Sequence, residues 1–383
     1  MEKKTNVPKL RFSEFEGEWV LKKLGEVCEI KTGNKDTQNK VDDGIYPFFV
    51  RSDIVERINS YSYDGEAILT SGDGVGVGKN FHYINGKFDF HQRVYCLRNF
   101  KNDYCGRFIY YVFSDKFYGR VIRLSAKNSV DSVRMDMISD MNIYFSIISE
   151  QTKIASFLTA VDDKLTQLKK KKSLLEEYKK GVMQKIFSQE LRFKDDNGED
   201  FPEWKEKNGN LIFESVSDKK HNSDLPILAI TQEYGAIPRD LIDYNISVTD
   251  KSVESYKVVQ KGDFIISLRS FQGGIEYSNY KGICSPAYII LRPIVKIDDR
   301  FYKFFFKTDS YIKSLNKNLE GIRDGKMISF KYFSEIYLPV PSLPEQTKIA
   351  NFLSAIDEKI NHCSKQIERM EDWKKGLLQQ MFV

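Results

Sequence analysis

The stretch EQTKIASFLTAVDDKLTQLKKKKSLLEEYKKGVMQKIF, residues 150–187, returns at residues 345–382 as EQTKIANFLSAIDEKINHCSKQIERMEDWKKGLLQQMF. The offset is 195 residues without a gap, and 18 of the 38 positions are identical, so the chain is an internal tandem repeat. Each copy reads as one long helix. Ile154, Val161, Leu168, Leu175 and Val182 are seven apart, and Ile349, Ile356, Cys363, Met370 and Leu377 keep the same register. Phe157, Leu158, Leu165, Tyr178 and Ile186 widen the apolar stripe in the first copy; Phe352, Leu353, Ile360, Ile367 and Trp373 do so in the second. A seven-residue repeat sustained this long predicts a coiled-coil seam, with the two copies paired antiparallel. Lys164, Lys171 and Lys185 fall at d-type positions, so the seam is imperfect. Gly181 and Gly376 predict a C-terminal stop near each end.

The repeat is wider than the helix. Leu10-Arg11-Phe12 followed by Trp19 returns as Leu191-Arg192-Phe193 followed by Trp204. Each half therefore runs arm, globular segment, long helix. In the globular segments, Gly65-Glu66-Ala67-Ile68-Leu69-Thr70 matches Gly262-Asp263-Phe264-Ile265-Ile266-Ser267, and Arg93-Val94-Tyr95-Cys96-Leu97-Arg98 matches Ala287-Tyr288-Ile289-Ile290-Leu291-Arg292. Strand-like runs are punctuated by turn pairs. Asn85-Gly86 between two apolar runs predicts a hairpin. Helices are expected over about residues 107–123, with Phe108, Tyr111, Val112, Phe117 and Val121 buried, and over about residues 300–316. Between these landmarks the segments differ freely, as suits two modules that bind related but different targets. The resulting partition is residues 1–149, 150–188, 189–344 and 345–383: module, helix, module, helix.

With 383 residues the chain is long enough for two cored domains, and its 41% apolar and 30% charged content suits a soluble protein with exposed helices. The net charge of +5 permits a polyanionic partner without demanding one. No apolar run reaches the ~18 residues of a membrane span, and the first residues carry no apolar signal region, so a cytoplasmic protein is expected. The five cysteines are scattered and never spaced CxxC, which suggests neither a disulfide framework nor a zinc site.

No catalytic motif survives inspection. The loop Ser71-Gly72-Asp73-Gly74-Val75-Gly76-Val77-Gly78-Lys79-Asn80 resembles a phosphate loop, but Asp73 stands where the leading glycine is needed and Asn80 where Ser or Thr is needed. Its backbone suits close approach to a ligand, with Lys79 at its end. Glu203-Trp204-Lys205 has a spacing used by metal nucleases, yet its counterpart Glu18-Trp19-Val20 lacks the lysine. Asp162-Asp163-Lys164 and Asp357-Glu358-Lys359 repeat with the helices and read as solvated faces, as does the run Lys169 to Lys172. No metal ligand set is expected. Polar residues placed to meet DNA are His91 and Arg93 in one segment and Arg269, Ser270 and Gln272 in the other. Arginine suits guanine and glutamine suits adenine in the major groove. Lys127, Asn128, Arg323 and Lys326 suit phosphate or base contact. The chain reads as a binder rather than an enzyme. A scaffold that joins helical partners without touching DNA is the rival reading, and salt-dependent binding to a defined duplex separates the two.

EQTKIASFL and EQTKIANFL, the two arms, the Asp89-Phe90-His91-Gln92-Arg93-Val94 run and Ser267-Leu268-Arg269-Ser270-Phe271-Gln272-Gly273-Gly274 together resemble type I restriction–modification specificity subunits. The likeness spans the whole chain. It implies an α/β (α+β) fold: two similar target-recognition domains, related by a pseudo-two-fold and separated by long helices in an antiparallel coiled coil. It implies that each domain reads one half of a split DNA sequence and that the helices fix the gap. The helical regions would hold two methylation subunits, with Glu150, Gln151, Ile154 and Phe157 and their counterparts Glu345, Gln346, Ile349 and Phe352 as the expected partner-binding positions. Restriction subunits would join that core. S-adenosylmethionine, ATP and Mg would belong to the partners and none to this chain.

Overall fold

The computed structural model describes residues 6–74, 76–125, 132–222, 224–242, 253–317 and 328–383. The chain divides into two compact units, residues 1–169 with 365–383, and residues 170–364. Neither long helix belongs to one unit alone: each contributes one half to each.

Unit 1 runs β1 (Val20–Lys23), α1 (Leu24–Val27), β2 (Glu29–Thr32), β3 (Tyr46–Phe49), β4 (Val55–Ile58), β5 (Tyr63–Ser71), β6 (Phe81–Phe90), β7 (Val94–Arg98), α2 (Gly106–Leu124), α3 (Met135–Ser139), β8 (Asn142–Phe145) and the first half of α4 (Ile148–Phe187). A six-stranded sheet has the order β2-β7-β5-β6-β3-β4, and β1 pairs with β8 apart from it. Its pairings are antiparallel except β3 with β6, where Phe48 lies opposite Asp89. The alternating pattern of β5 and β7 puts Ile68 and Leu97 on the face that α2 covers with Phe108, Val112 and Phe117. Ile154, Leu158 and Val161 of α4 close the same core, together with Leu377, Met381 and Phe382 from the far end of the chain.

Unit 2 repeats the plan. It runs β9 (Lys205–Asn208), β10 (Phe213–Val216), β11 (Leu228–Thr231), β12 (Gly235–Pro238), β13 (Lys257–Val259), β14 (Phe264–Ile266), α5 (Ser270–Gly273), β15 (Glu276–Tyr277), β16 (Gly282–Cys284), β17 (Ile289–Pro293), α6 (Asp299–Phe305), α7 (Asp309–Asn316), α8 (Phe330–Ser334), β18 (Tyr337–Val340) and α9 (Leu343–Met381). The order β10-β17-β14 mirrors β2-β7-β5, and the β9–β18 pair mirrors β1–β8. Its core gathers Phe213, Phe264, Phe301, Tyr302 and Phe306 against Val182, Met183 and Ile186 of α4 and Ile349, Leu353 and Ile356 of α9.

Within each unit the helix halves pack side by side. In unit 1, Phe157 meets Trp373 edge-on at 6.0 Å, Asp162 pairs with Lys374 at 2.6 Å, and Lys169 with Glu371 at 2.6 Å, so the two run antiparallel. In unit 2, Lys179 pairs with Asp357 at 2.6 Å. Asp162 and Asp357 are repeat counterparts, as are Lys179 and Lys374, so the duplication makes the same ion pair once in each unit. Such partly exposed pairs contribute at most about 1 kcal/mol; the seven-spaced residues, buried except for the half-buried Leu175 and Met370, hold the helices together, and the ion pairs fix which residues meet.

Four sequence expectations are corrected. Asn85-Gly86 is not a hairpin turn: β6 runs through it, with Asn85 opposite Glu66 and Gly86 opposite Gly65, because the ladder to β5 is continuous on both sides. Residues 300–316 are not one helix. α6 ends at Phe305, and Thr308 caps α7, its Oγ1 accepting from the Tyr311 amide. Gly181 and Gly376 do not stop the helices, which continue to Phe187 and Met381; past α4 the left-handed turn falls on Gln189 at φ 63°. Tyr178 and its counterpart Trp373, both expected in the apolar stripe, are exposed.

Candidate nucleic-acid interface

The start of each long helix is locked by its own arm. Arg11 grips the buried carboxylate of Glu150 through Nε and Nη2 with two hydrogen bonds of 2.7 Å; Nη2 also donates to the Glu16 carbonyl and Nη1 to the Gly17 carbonyl. The bond to Glu150 holds the Arg11 guanidinium above its ordinary pKa. Arg192 repeats the clasp on Glu345 at 3.1 Å, with further bonds to the carbonyls of Phe201 and Pro202. The next residue ties the helix to its module. Gln151 Oε1 accepts from the Cys105 amide at the start of α2, while its Nε2 donates to the carbonyls of Asp103 and Ser146. Gln346 does the same with the Asp298 amide and the Pro341 carbonyl. Glu150, Gln151, Ile154, Glu345, Gln346 and Ile349 are thus buried within their own unit. Phe157 and Phe352 are half-buried and pack on the arm residues Phe12 and Phe193. These eight side chains are engaged inside the chain.

With the module fixed, the same two segments form an open cleft in each unit: the turn of the first hairpin and the loop after the central strand. In unit 1 these are the β3–β4 turn, Arg51-Ser52-Asp53, and the loop after β5, ending in Lys79-Asn80; the cleft measures about 540 Å³. The Arg51 carbonyl accepts from Ser71 Oγ at 2.8 Å and Asn80 Nδ2 at 3.0 Å, which pins turn to loop. Asp73 stands between two guanidiniums, 3.4 Å from Arg51 and 3.8 Å from Arg93. Lys79 is exposed and its ammonium lies 5.0 Å from the Tyr118 ring centre. Gly74 and Gly78 take left-handed φ of 82° and 67°, and a strand, β6, follows. A phosphate loop needs a helix there, so that reading is excluded.

In unit 2 the cleft lies between the β11–β12 turn, Gln232-Glu233-Tyr234, and Ser267-Leu268-Arg269 after β14; it measures about 680 Å³. Gln232 Nε2 donates to the Arg269 carbonyl at 3.3 Å, again joining turn to loop. The loop is braced from below. Lys307 Nζ donates to the Gly273 carbonyl and to buried Glu276 at 2.6 Å, and Asn316 Nδ2 donates to the Phe271 carbonyl at 2.6 Å. Burial pushes the Glu276 carboxyl up and the Lys307 ammonium down, and their mutual attraction opposes both shifts. Gly274, at φ 78°, would place a Cβ 2.0 Å from the Phe306 carbonyl oxygen, so no other residue closes this loop.

Of the residues singled out in the sequence, Lys79 and Arg269 line these clefts, and Arg93 reaches the rim of the first through Asp73. Gln272 is exposed on α5. His91 and Ser270 do not line the clefts. His91 is buried, its Nδ1 accepting from the Arg93 amide, and burial lowers its pKa. Ser270 is buried, its Oγ accepting from the Ser267 amide. Both shape the loops that present their neighbours. Lys127, Asn128, Arg323 and Lys326 lie outside the described residues. The hairpin-turn residues Arg51, Gln232, Glu233 and Tyr234 were not singled out; the shared prolines Pro47 and Pro226 ahead of each turn were the available signal. Among the described residues no group of His, Cys, Asp or Glu is placed to hold a metal ion, and no helix is long and apolar enough to cross a membrane.

The type I restriction modification DNA specificity domain matches this chain twice, at residues 16–177 and 199–371. The chain belongs to that family. As a type I specificity chain it serves DNA sequence recognition in a restriction–modification system, and the two matches coincide with the two repeats. It is 26% identical to the type I restriction enzyme EcoDI specificity subunit of Escherichia coli over 398 residues, covering 92% of this chain and 86% of that one. It is also 26% identical to the putative type I restriction enzyme MjaX specificity subunit of Methanocaldococcus jannaschii, covering 93% and 81%. The fold is similar to the type I restriction–modification S subunit from M. genitalium, with a TM-score of 0.66 at 17% identity over 98% of this chain and 99% of that one. A second neighbour, from a structure of type I R-M complex assembly and conformational transition, aligns with a TM-score of 0.54 at 15% identity over 95% and 97%.

Proposed function

We propose that each unit of this specificity subunit reads one half of a bipartite DNA target through its hairpin-and-loop cleft. The paired helices fix the spacer between half-sites and carry two methylation subunits on their exposed faces. Restriction subunits join that core in the cytoplasm. S-adenosylmethionine, ATP and Mg act in the partners, and this chain supplies recognition without chemistry. One observation carries the reading: duplication preserved the clefts in position and the Arg–Glu clasps in detail, while the side chains lining the clefts diverged. A framework kept constant around variable polar linings is what two readers of different sequences need.

Exchange of residues 191–340 for those of another specificity chain tests it. Methylome sequencing of a host carrying the chain and its methylation partner should show one half-site replaced and the other retained. A change in both half-sites would refute independent readout.

A further inference from the structure

We propose that Arg269 is a specificity-determining residue that reads a guanine in the half-site of unit 2. The inference rests on the reading that unit 2 binds DNA through its cleft. Its first support is availability. Arg192, Arg292 and Arg300 are all committed to carboxylates, on Glu345, Asp263 and Asp298. Arg269 is exposed at the cleft, and among the described residues its guanidinium has no carboxylate partner. In unit 1, by contrast, Arg51 and Arg93 both lean on Asp73.

Its second support is a fixed base. The Arg269 amide donates to Ser267 Oγ at 3.2 Å, and its carbonyl accepts from the Gln272 amide at 2.9 Å and from Gln232. Lys307, Asn316 and Gly274 hold the rest of the turn, so little backbone freedom is lost when the guanidinium docks. The planar fork then matches the paired acceptors O6 and N7 of guanine.

The third support separates a base edge from a phosphate. Leu268, Tyr234 and Glu233 line the same cleft as Arg269. A carboxylate repels phosphate but accepts from a cytosine amino group, and apolar side chains suit a thymine methyl.

The test compares the wild-type chain, Arg269→Lys and Arg269→Ala, each with its methylation partner, by methylome sequencing of the host. Arg269→Ala should relax one guanine position, lowering discrimination there about tenfold or more. That position should lie in the half-site that the 191–340 exchange replaces, and the other half-site should be unchanged. Arg269→Lys should fall between. An unchanged motif, or a change in the other half-site, overturns the assignment. Should Arg269→Ala abolish methylation, the purified complex is selected on randomised duplexes. Loss confined to guanine at one position supports the proposal. Equal loss on every sequence, with a salt dependence shallower by about one phosphate, overturns it. A wild-type chain that yields no bipartite motif would instead sink the functional reading beneath it.

Discussion

Arg11 and Arg192 show how one residue can decide the placement of a module. Each joins an arm to a fully buried glutamate at a helix start. Removing Arg11 leaves the Glu150 carboxylate buried and unpaired, so Arg11→Ala should cost about 3–5 kcal/mol. Arg11→Leu with Glu150→Leu should recover much of that loss. Denaturant unfolding of the three chains checks it, and a double variant as unstable as the single one would contradict the clasp. A second residue-scale effect concerns pH. Burial lowers the pKa of both His82 and His91, against the pull of Asp53 on the first and of Asp36 and Asp73 on the second. The unfolded chain then binds more protons than the folded one below the ordinary histidine value of 6.5, so stability falls as pH drops through that value. Thermal melts taken from about pH 7.5 to about pH 5.5 should shift downward. His91→Asn keeps an acceptor for the Arg93 amide and should remove part of the slope.

At the scale of elements, the helices owe their register to the apolar repeat and their partner to the duplicated Asp–Lys pair. Inserting four residues, about one turn, near Lys170 and near Lys365 would lengthen both rods by roughly 6 Å. The gap between half-sites should grow by about 2 base pairs, with both half-sites unchanged in the methylome; an unchanged gap would refute the ruler. The loop elements obey a different logic. Gly274→Ala meets both a left-handed φ and the Phe306 carbonyl. It should therefore weaken recognition of the unit 2 half-site while the clasps and the helix pairing persist, read by duplex binding alongside helical content.

At the scale of the molecule, the duplication repeats the contact between arm and helix end in each unit. Leu10 donates its amide to the Gln380 carbonyl at 2.9 Å, and Leu191 donates to the Lys185 carbonyl at 2.9 Å, the same bond between repeat counterparts. The end of α9 therefore meets the first arm as the end of α4 meets the second. A chain closed by a short linker after Val383 and reopened in the polar loop at residues 194–199 should fold and keep its methylation motif. Loss of the motif in a permutant with normal helical content would count against it.

The order of modules, the two helices and their seven-residue seam were legible in the sequence, because duplication and apolar periodicity are local patterns that survive without coordinates. Helix ends were not, since Thr308 and Gln189 act through cap geometry that outranks the glycines nearby. Nor was the division of labour among polar residues. Glu150 and Gln151 have the composition of a docking face, and His91 that of a base reader, yet each is held by groups that lie 139 or 46 positions away or fold back within its own loop. Burial and partner choice depend on the whole packing. Only the tertiary structure brought Gln232 to Arg269 and Arg51 to Asp73, and so decided which charges are held by a partner within the chain.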